Sequence, residues 1–145
     1  AEQNLQEYFV KLAPESEVST QGLVIDGRTI DIRQQAQGVL LIDFRALCDG
    51  PRSQRDYMEA ARLYHTVLLS NVEQMGEQLT GDDIARRFLA MVDEFYERNV
   101  KLIISSAVSL EDIYTKGLLS FEFRRCRSRL TEMQSHDYLA LEHLP

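Results

Sequence analysis

Residues 82–106, DDIARRFLAMVDEFYERNVKLIISS, decide the fold class of this chain. Apolar residues in the first part of the stretch recur at intervals of three and four, at Ile84, Phe88, Met91 and Phe95. That spacing places them on one face of an amphipathic helix. The run that follows is almost wholly apolar, which predicts a strand covered on both faces. A helix that leads directly into such a strand is typical of a parallel α/β unit.

The opposite face of this helix carries acids and arginines four residues apart, with the acid first. Each such pair adds about 0.3 kcal/mol to an exposed helix. Thr80 is a suitable cap ahead of the helix. The predicted pairs are Asp82–Arg86, Asp83–Arg87 and Glu94–Arg98.

The bulk composition predicts one soluble domain and excludes several classes of function. The chain has 145 residues and a mass of 16.7 kDa, enough to bury a core without disulfides. Its net charge of −7 and pI near 5.0 argue against nonspecific binding to nucleic acid or to an anionic membrane. No apolar run is long enough for a transmembrane helix, and no leader sequence is seen. We therefore expect a cytoplasmic setting, with membrane contact that is peripheral at most.

Residues 1–46 are predicted to hold a helix and antiparallel strands. An apolar stripe of Leu5, Tyr8, Phe9 and Leu12 predicts a short helix. This helix should end at Pro14, and Asp26-Gly27 is typical of a tight hairpin turn. The segment 33–38 is predicted to be a polar connection, and the strand after it to be antiparallel. The predicted strands are Leu23–Ile25, Arg28–Ile32 and Val39–Arg45.

Residues 47–145 are predicted to form the α/β part of the same single region. Ser53 and Asp56 form a capping box for a helix that reaches Tyr64. A strand over residues 65–72 then joins the stretch described first in a parallel β-α-β crossover. The predicted long C-terminal helix starts at Ser120, and an apolar tail follows it. Its inward residues are Phe123, Cys126, Leu130 and Met133.

Small polar residues end both parallel strands, as Ser70-Asn71 and Ser105-Ser106. The carboxyl edge of an open α/β sheet is the usual place for a ligand, so these residues mark a location without naming the ligand.

Asp93 and Glu94 follow apolar residues as the acids of a Walker B box do, but they lie within a helical pattern. They are either solvated helix acids or, less simply, metal ligands.

Arginines are the remaining candidates for a functional site, as ligands of an anion. Arg124, Arg125, Arg127 and Arg129 fall within six positions of the last helix. A rigidly held arginine can bind a phosphate in a forked geometry, although a polar face balanced by Glu122 and Glu132 explains the same pattern. Arg52 precedes a helix start and could face an anion or simply decorate a turn.

Metal binding and nucleophilic catalysis have little support in the sequence. His65, His136 and His143 have no cysteine or acid at ligand spacing. Cys126 lies in an apolar helical stripe and is predicted to be a core residue.

Three ordered strings resemble one family. They are residues 47–67, 85–102 and 121–135, with RSQ-x-DY, ARRF, VDEFYER and FEF-x-RC-x-SRL-x-EMQS among their motifs. Together they resemble the C-terminal portion of the ZapE-like cell-division ATPases, which have mitochondrial lactation-elevated relatives and belong to the AAA+ P-loop class. Residues 1–46 resemble that family only loosely. One departure is Glu73, at a position where proline is usual.

The resemblance implies an ATP- and Mg-dependent ATPase whose Walker elements precede this region. The chain has no G-x-x-x-x-G-K-[ST] loop, so we expect no cofactor and no ATP hydrolysis by this chain alone. The implied partners are the remainder of the ATPase, like subunits and cell-division proteins, with no nucleic acid, in the cytoplasm or peripheral to the inner membrane. Arg125 and Arg129 match the family and become candidates for a nucleotide-sensing or intersubunit role. The alternative function is a stand-alone interaction domain that binds a protein without nucleotide.

Overall fold

The computed structural model describes residues 2–13, 18–25, 27–76 and 81–144. Its helices are α1 (Glu2–Leu12), α2 (Phe44–Cys48), α3 (Gln54–Leu63), α4 (Asp82–Glu97), α5 (Ser120–Glu132) and α6 (His136–Leu139), with a 3₁₀ turn at Leu110–Asp112. Its strands are β1 (Leu23–Ile25), β2 (Arg28–Ile30), β3 (Gln34–Ala36), β4 (Val39–Asp43), β5 (Thr66–Val72) and β6 (Lys101–Ser106). The mixed α/β class is as predicted.

A four-stranded sheet in the order β3-β4-β5-β6 forms the centre of the molecule. Strand β3 is antiparallel to β4, whereas β4, β5 and β6 are mutually parallel. Strands β1 and β2 form a separate antiparallel hairpin, as predicted. Strand β4 therefore connects the first 46 residues to the parallel part of the sheet, a pairing that the sequence analysis did not anticipate.

The parallel strands are buried on both faces because helices cover each side. Leu40, Ile42 and Phe44 lie in the larger core with α2 to α5, and Leu41 faces the smaller core under α1. Strand β6 is an exception to the predicted two-sided burial. It is the edge of the sheet, and only Leu102 and Ser105 of its residues are fully buried.

The strands differ from the prediction at three places, and the first is β2, which ends at Ile30 rather than at Ile32. The polar connection 33–38 contains strand β3, which pairs with β4 through a tight turn at Gln37 and Gly38, both with positive φ. Its glutamines are half-buried edge residues, so the segment lacks the apolar signal of a strand. Strand β4 ends at Asp43, and Phe44 already begins α2.

Helix α1 buries a narrower stripe than predicted. Leu5 and Phe9 are buried, whereas Tyr8 and Leu12 are 48% and 42% exposed. One helix over one sheet face buries residues four apart, and the flanking apolar positions stay at its margin. The predicted stop at Pro14, the turn residue Asp26 and the cap Thr80 lie outside the described residues.

The predicted capping box and tail docking are both present. The Ser53 amide donates to Asp56 Oδ2 at 2.8 Å, and the buried Asp56 also accepts from Arg28. The Tyr138 hydroxyl lies 2.9 Å from the Val100 carbonyl oxygen, and the His143 ring lies 2.6 Å from the Ala61 carbonyl oxygen. Within the described ranges, no helix has the length and apolar character to cross a membrane.

Candidate functional site

The arginines of α5 meet Asp93 of α4. The Arg129 guanidinium donates to Asp93, with 2.5 Å between Nη1 and Oδ1, and lies 4.8 Å from the centre of the Tyr96 ring. Its side chain is only 24% exposed. The Tyr96 hydroxyl donates to Glu132 at 2.7 Å, which adds a further link between the helices. Arg129 is thus held in place by the fold.

Arg125 is placed one turn earlier on α5 and is held more loosely. Its Nη2 lies 3.7 Å from Asp93 Oδ2, and its side chain is 59% exposed. A guanidinium with this exposure keeps most of its donors available. The structure therefore brings Arg125 and Arg129 to one carboxylate but leaves only Arg125 accessible to a ligand.

The two other arginines of this helix have different surroundings. The Arg124 guanidinium lies 5.8 Å from the centre of the exposed Phe121 ring, a cation–π contact. Arg127 has no ion pair or side-chain hydrogen bond within the described part of the chain. The charge-balancing acid of this helix face is Asp93, because Glu132 accepts instead from Tyr96 and neither arginine bonds to Glu122.

Arg52 is occupied by the backbone. Its Nη2 and Nε donate to the Ala46 carbonyl oxygen at 3.0 and 3.2 Å. These bonds close the turn between α2 and α3, because Ala46 lies near the end of α2. Among the described residues, Arg52 shares no contact with Arg125 or Arg129, and its bonds are those of a side chain that closes a turn.

The acids of the Walker B-like run lie on a helix rather than at the end of a strand. Asp93 accepts from Arg129 and forms an ion pair with Arg125, and Glu94 accepts from Gln54 at 2.7 Å. Among the described residues, no group of three or more His, Cys, Asp and Glu could hold a metal ion. The arrangement fits solvated helix acids in ion pairs.

None of the three ion pairs predicted on α4 forms among the described residues. Arg86 lies 3.8 Å from Asp83, three residues earlier, rather than from Asp82. Asp82 instead accepts from the Tyr114 hydroxyl at 3.1 Å, because the 3₁₀ region packs near the start of α4.

A polar cluster lies at the carboxyl edge of the sheet, where the sequence analysis placed Ser70 and Asn71 but did not anticipate Asp43. Asp43, at the end of β4, accepts from Arg33 Nε, Ser70 and Asn71. Burial would raise the pKa of Asp43, but the hydrogen bonds from these three residues outweigh it and hold the pKa below its ordinary value. The signal was present, since an acid follows a buried strand directly, but the strand was predicted to run on to Arg45.

The ends of β5 and β6 open into a groove of about 520 Å³ beside this cluster. A β-bulge separates Leu69 from Val72, and Asn71 within it has a φ of +59°. Described residues of the groove include Asn71, Glu73, Ser105 and Ser106, and no arginine or lysine is among them. Glu73 is paired with Arg45 at 2.5 Å. A lining with one acid and no arginine or lysine among the described residues does not suit a triphosphate.

The contacts of His65 and the burial of the two cysteines fit structural roles. His65 Nε2 lies 3.0 Å from the Gln37 carbonyl oxygen, and its Nδ1 lies 2.8 Å from the Thr66 hydroxyl. Burial raises the pKa of the Cys48 and Cys126 thiols to about 12, so neither is a thiolate near neutral pH.

A family model described as AFG1-like ATPase matches residues 1–142. The chain belongs to the AFG1-like ATPase family. Over 105 residues this AFG1-like chain is 52% identical to the Escherichia coli K12 "Cell division protein ZapE", covering 72% of the chain and 28% of that protein. The resemblance to ZapE-like ATPases is therefore confirmed.

Two eukaryotic proteins are also similar to this AFG1-like chain. The Danio rerio "Lactation elevated protein 1 homolog B" is 31% identical, with 77% of the chain and 22% of that protein covered. An uncharacterised Schizosaccharomyces pombe protein is 27% identical, with 93% of the chain and 36% of that protein covered. The chain thus spans only about a third or less of these relatives. No solved structure matches it.

Proposed function

We propose that this chain is the C-terminal region of an ATPase that binds and hydrolyses ATP with Mg in the intact protein. The family match over residues 1–142 supports the ATPase role. The chain has no phosphate-cradling loop, and the described lining of its carboxyl-edge groove holds no arginine or lysine. The nucleotide is accordingly assigned to parts of the protein outside this chain, which neither binds nor hydrolyses ATP by itself.

In this proposal the region presents Arg125 to the nucleotide or to a neighbouring subunit. The observation that carries the assignment is the shared carboxylate of Asp93. Arg129 bonds to it closely and fixes α5 against α4, while Arg125 remains 59% exposed at 3.7 Å. A guanidinium held this loosely can turn to an incoming phosphate at little cost, and its helix holds its position. Arg129 is then a positioning residue.

The proposed biological setting follows the relatives. The printed name of the Escherichia coli relative is a cell-division protein. We place this ATPase in cell division or membrane-protein quality control, acting with like subunits in the cytoplasm or at the periphery of the inner membrane. The overall acidity of the chain gives no support to a nucleic-acid partner.

The test is ATP hydrolysis by the intact protein with single arginine substitutions. Arg125→Ala should lower kcat by at least roughly tenfold, because it removes a cation from the developing charge. Arg127→Ala is the matched control, since it lies on the same helix without a described partner, and should leave kcat unchanged. Full activity of a folded Arg125→Ala protein would remove the sensing role.

The second candidate is an interaction domain that works without nucleotide. It is favoured by Leu118 and Phe121, which are 81% and 70% exposed at the start of α5. Large apolar side chains exposed together often mark a protein contact. The ATPase proposal requires a G-x-x-x-x-G-K-[ST] loop in the intact polypeptide and loss of activity on its mutation, whereas the interaction domain requires neither.

A further inference from the structure

A second pocket lies on the opposite side of α3 from the core. It has a volume of about 370 Å³ and opens between the β1–β2 hairpin, α3 and the end of α4. None of its described lining residues is an α5 arginine, and none of them lines the carboxyl-edge groove. The residues that matter are Val24, Arg55, Met58, Glu59, Arg62 and Arg98.

The helical period explains why α3 supplies most of this pocket. Arg55, Met58, Glu59 and Arg62 are spaced three, one and three residues apart, so they share one outer face of the helix. Residues of the other face, such as Tyr57, are fully buried. The hairpin borders the same pocket through the exposed Val24.

The pocket is cationic in a chain whose net charge is −7. Three arginines line it, and Glu59 is the one acid among the described lining residues. Glu59 is already paired with Arg62 through the hydrogen bonds of that guanidinium. Arg55 is also engaged within the fold, so Arg98 is the arginine that brings unpaired positive charge to the pocket among the described residues.

Of the three arginines, Arg98 gives the strongest support for a bound anion. It is half-buried, yet its side chain makes no ion pair or hydrogen bond within the described part of the chain. Only its backbone is used, since the amide donates to the Glu94 carbonyl oxygen at 3.2 Å and the carbonyl accepts from the Leu144 amide. A guanidinium with five donors and no partner among the described residues is suited to an external anion.

We propose that this pocket binds a small oxyanion, phosphate or carboxylate, that carries an apolar substituent. The anion contacts Arg98, with Arg62 beside it in the lining, because planar guanidinium groups match both oxyanions in a forked geometry. The substituent lies against Met58 and Val24, which provide the apolar wall. A volume of about 370 Å³ is within the range of small-molecule sites.

The test uses the intact protein, without nucleotide, titrated calorimetrically with three probes at low ionic strength. The probes are phenyl phosphate, benzoate and phenol, which share a ring and differ in charge. Saturable binding of phenyl phosphate or benzoate, with no binding of phenol, is expected, and the stronger of the two identifies the preferred oxyanion. Binding of phenol as tightly as of the anions, or no saturable binding of any probe, would overturn the proposal.

Substitutions then locate the site. Arg98→Gln should weaken anion binding by about tenfold, because a charged hydrogen-bond donor is lost. Arg62→Gln, at an exposed position, is the second variant and should weaken binding in the same direction. Arg86→Gln is the control, since Arg86 is exposed on α4 outside the pocket. Equal weakening by Arg86→Gln, or unchanged affinity in both pocket variants, contradicts the assignment.

Discussion

Arg129 of α5 and Asp93 of α4 form the closest link between the two helices, with 2.5 Å between Nη1 and Oδ1. The same carboxylate lies 3.7 Å from Arg125. Asp93 therefore connects a residue that is fixed by the fold to one that is open to solvent. The proposed role of Arg125 depends on this arrangement.

Arg129→Ala should lower the free energy of unfolding by about 2 kcal/mol, because it removes a charged hydrogen bond and the contact with Tyr96. Urea denaturation of the single and double variants with Asp93→Ala measures the link. We expect a coupling energy of at least about 1 kcal/mol. Arg127→Ala is the control and should change stability by less than about 0.5 kcal/mol. Additive effects of Arg129→Ala and Asp93→Ala would show that the pair is not coupled.

Asp56 should make stability depend on acid pH. Burial would raise its pKa, but hydrogen bonds from Arg28 and from the Ser53 amide lower it below the ordinary 3.8. A carboxylate with a depressed folded pKa stabilises the protein fully above its unfolded pKa, and this contribution is lost as pH falls through the folded pKa. Stability should therefore fall below about pH 4.

Asp56→Asn isolates this contribution. At pH 7 it should cost about 3 kcal/mol, because it leaves Arg28 without its buried partner and weakens the start of α3. The variant should also show a flatter decline below pH 4 in thermal or urea denaturation. Asp83→Asn is the control, since that side chain is 86% exposed. An acid profile of Asp56→Asn parallel to that of the unmodified protein would contradict the argument.

Tyr138→Phe should loosen the C-terminal tail. The buried hydroxyl bonds to the carbonyl oxygens of Phe95 and Val100, which join the end of α4 to the start of β6. Its loss should cost about 1–2 kcal/mol. The rate of hydrogen exchange of the tail amides should also rise in this variant. Tyr8→Phe, at an exposed position on α1, should have no effect on either measurement, and equal effects of the two substitutions would refute the assignment.

The sequence predicted the elements with strong periodicity. Helix α4, the capping box at Ser53 and the buried stripe of α5 all follow from apolar spacing or local hydrogen-bonding chemistry. Strand β3 was missed because an edge strand of half-buried glutamines has no apolar alternation. The pairing of β4 with β5 was missed because a single strand does not reveal its partner.

Less of the candidate site could be predicted from the sequence. The spacing on α5 identified the arginines but not their common partner, because Asp93 lies 36 residues from Arg129 along the chain. For Arg52 the sequence left open an anion contact and a role in the turn, and the donors of its side chain bond to the Ala46 carbonyl oxygen within the turn. Such tertiary contacts depend on how the elements pack and leave no local pattern.

The central claim is that ATP hydrolysis needs elements outside this chain. Titration of the chain with labelled ATP and Mg, alongside the intact protein, tests it most directly. We expect saturable binding and turnover for the intact protein and neither for the chain, whose native fold is checked by circular dichroism. Saturable binding of ATP or its hydrolysis by residues 1–145 alone would contradict the account.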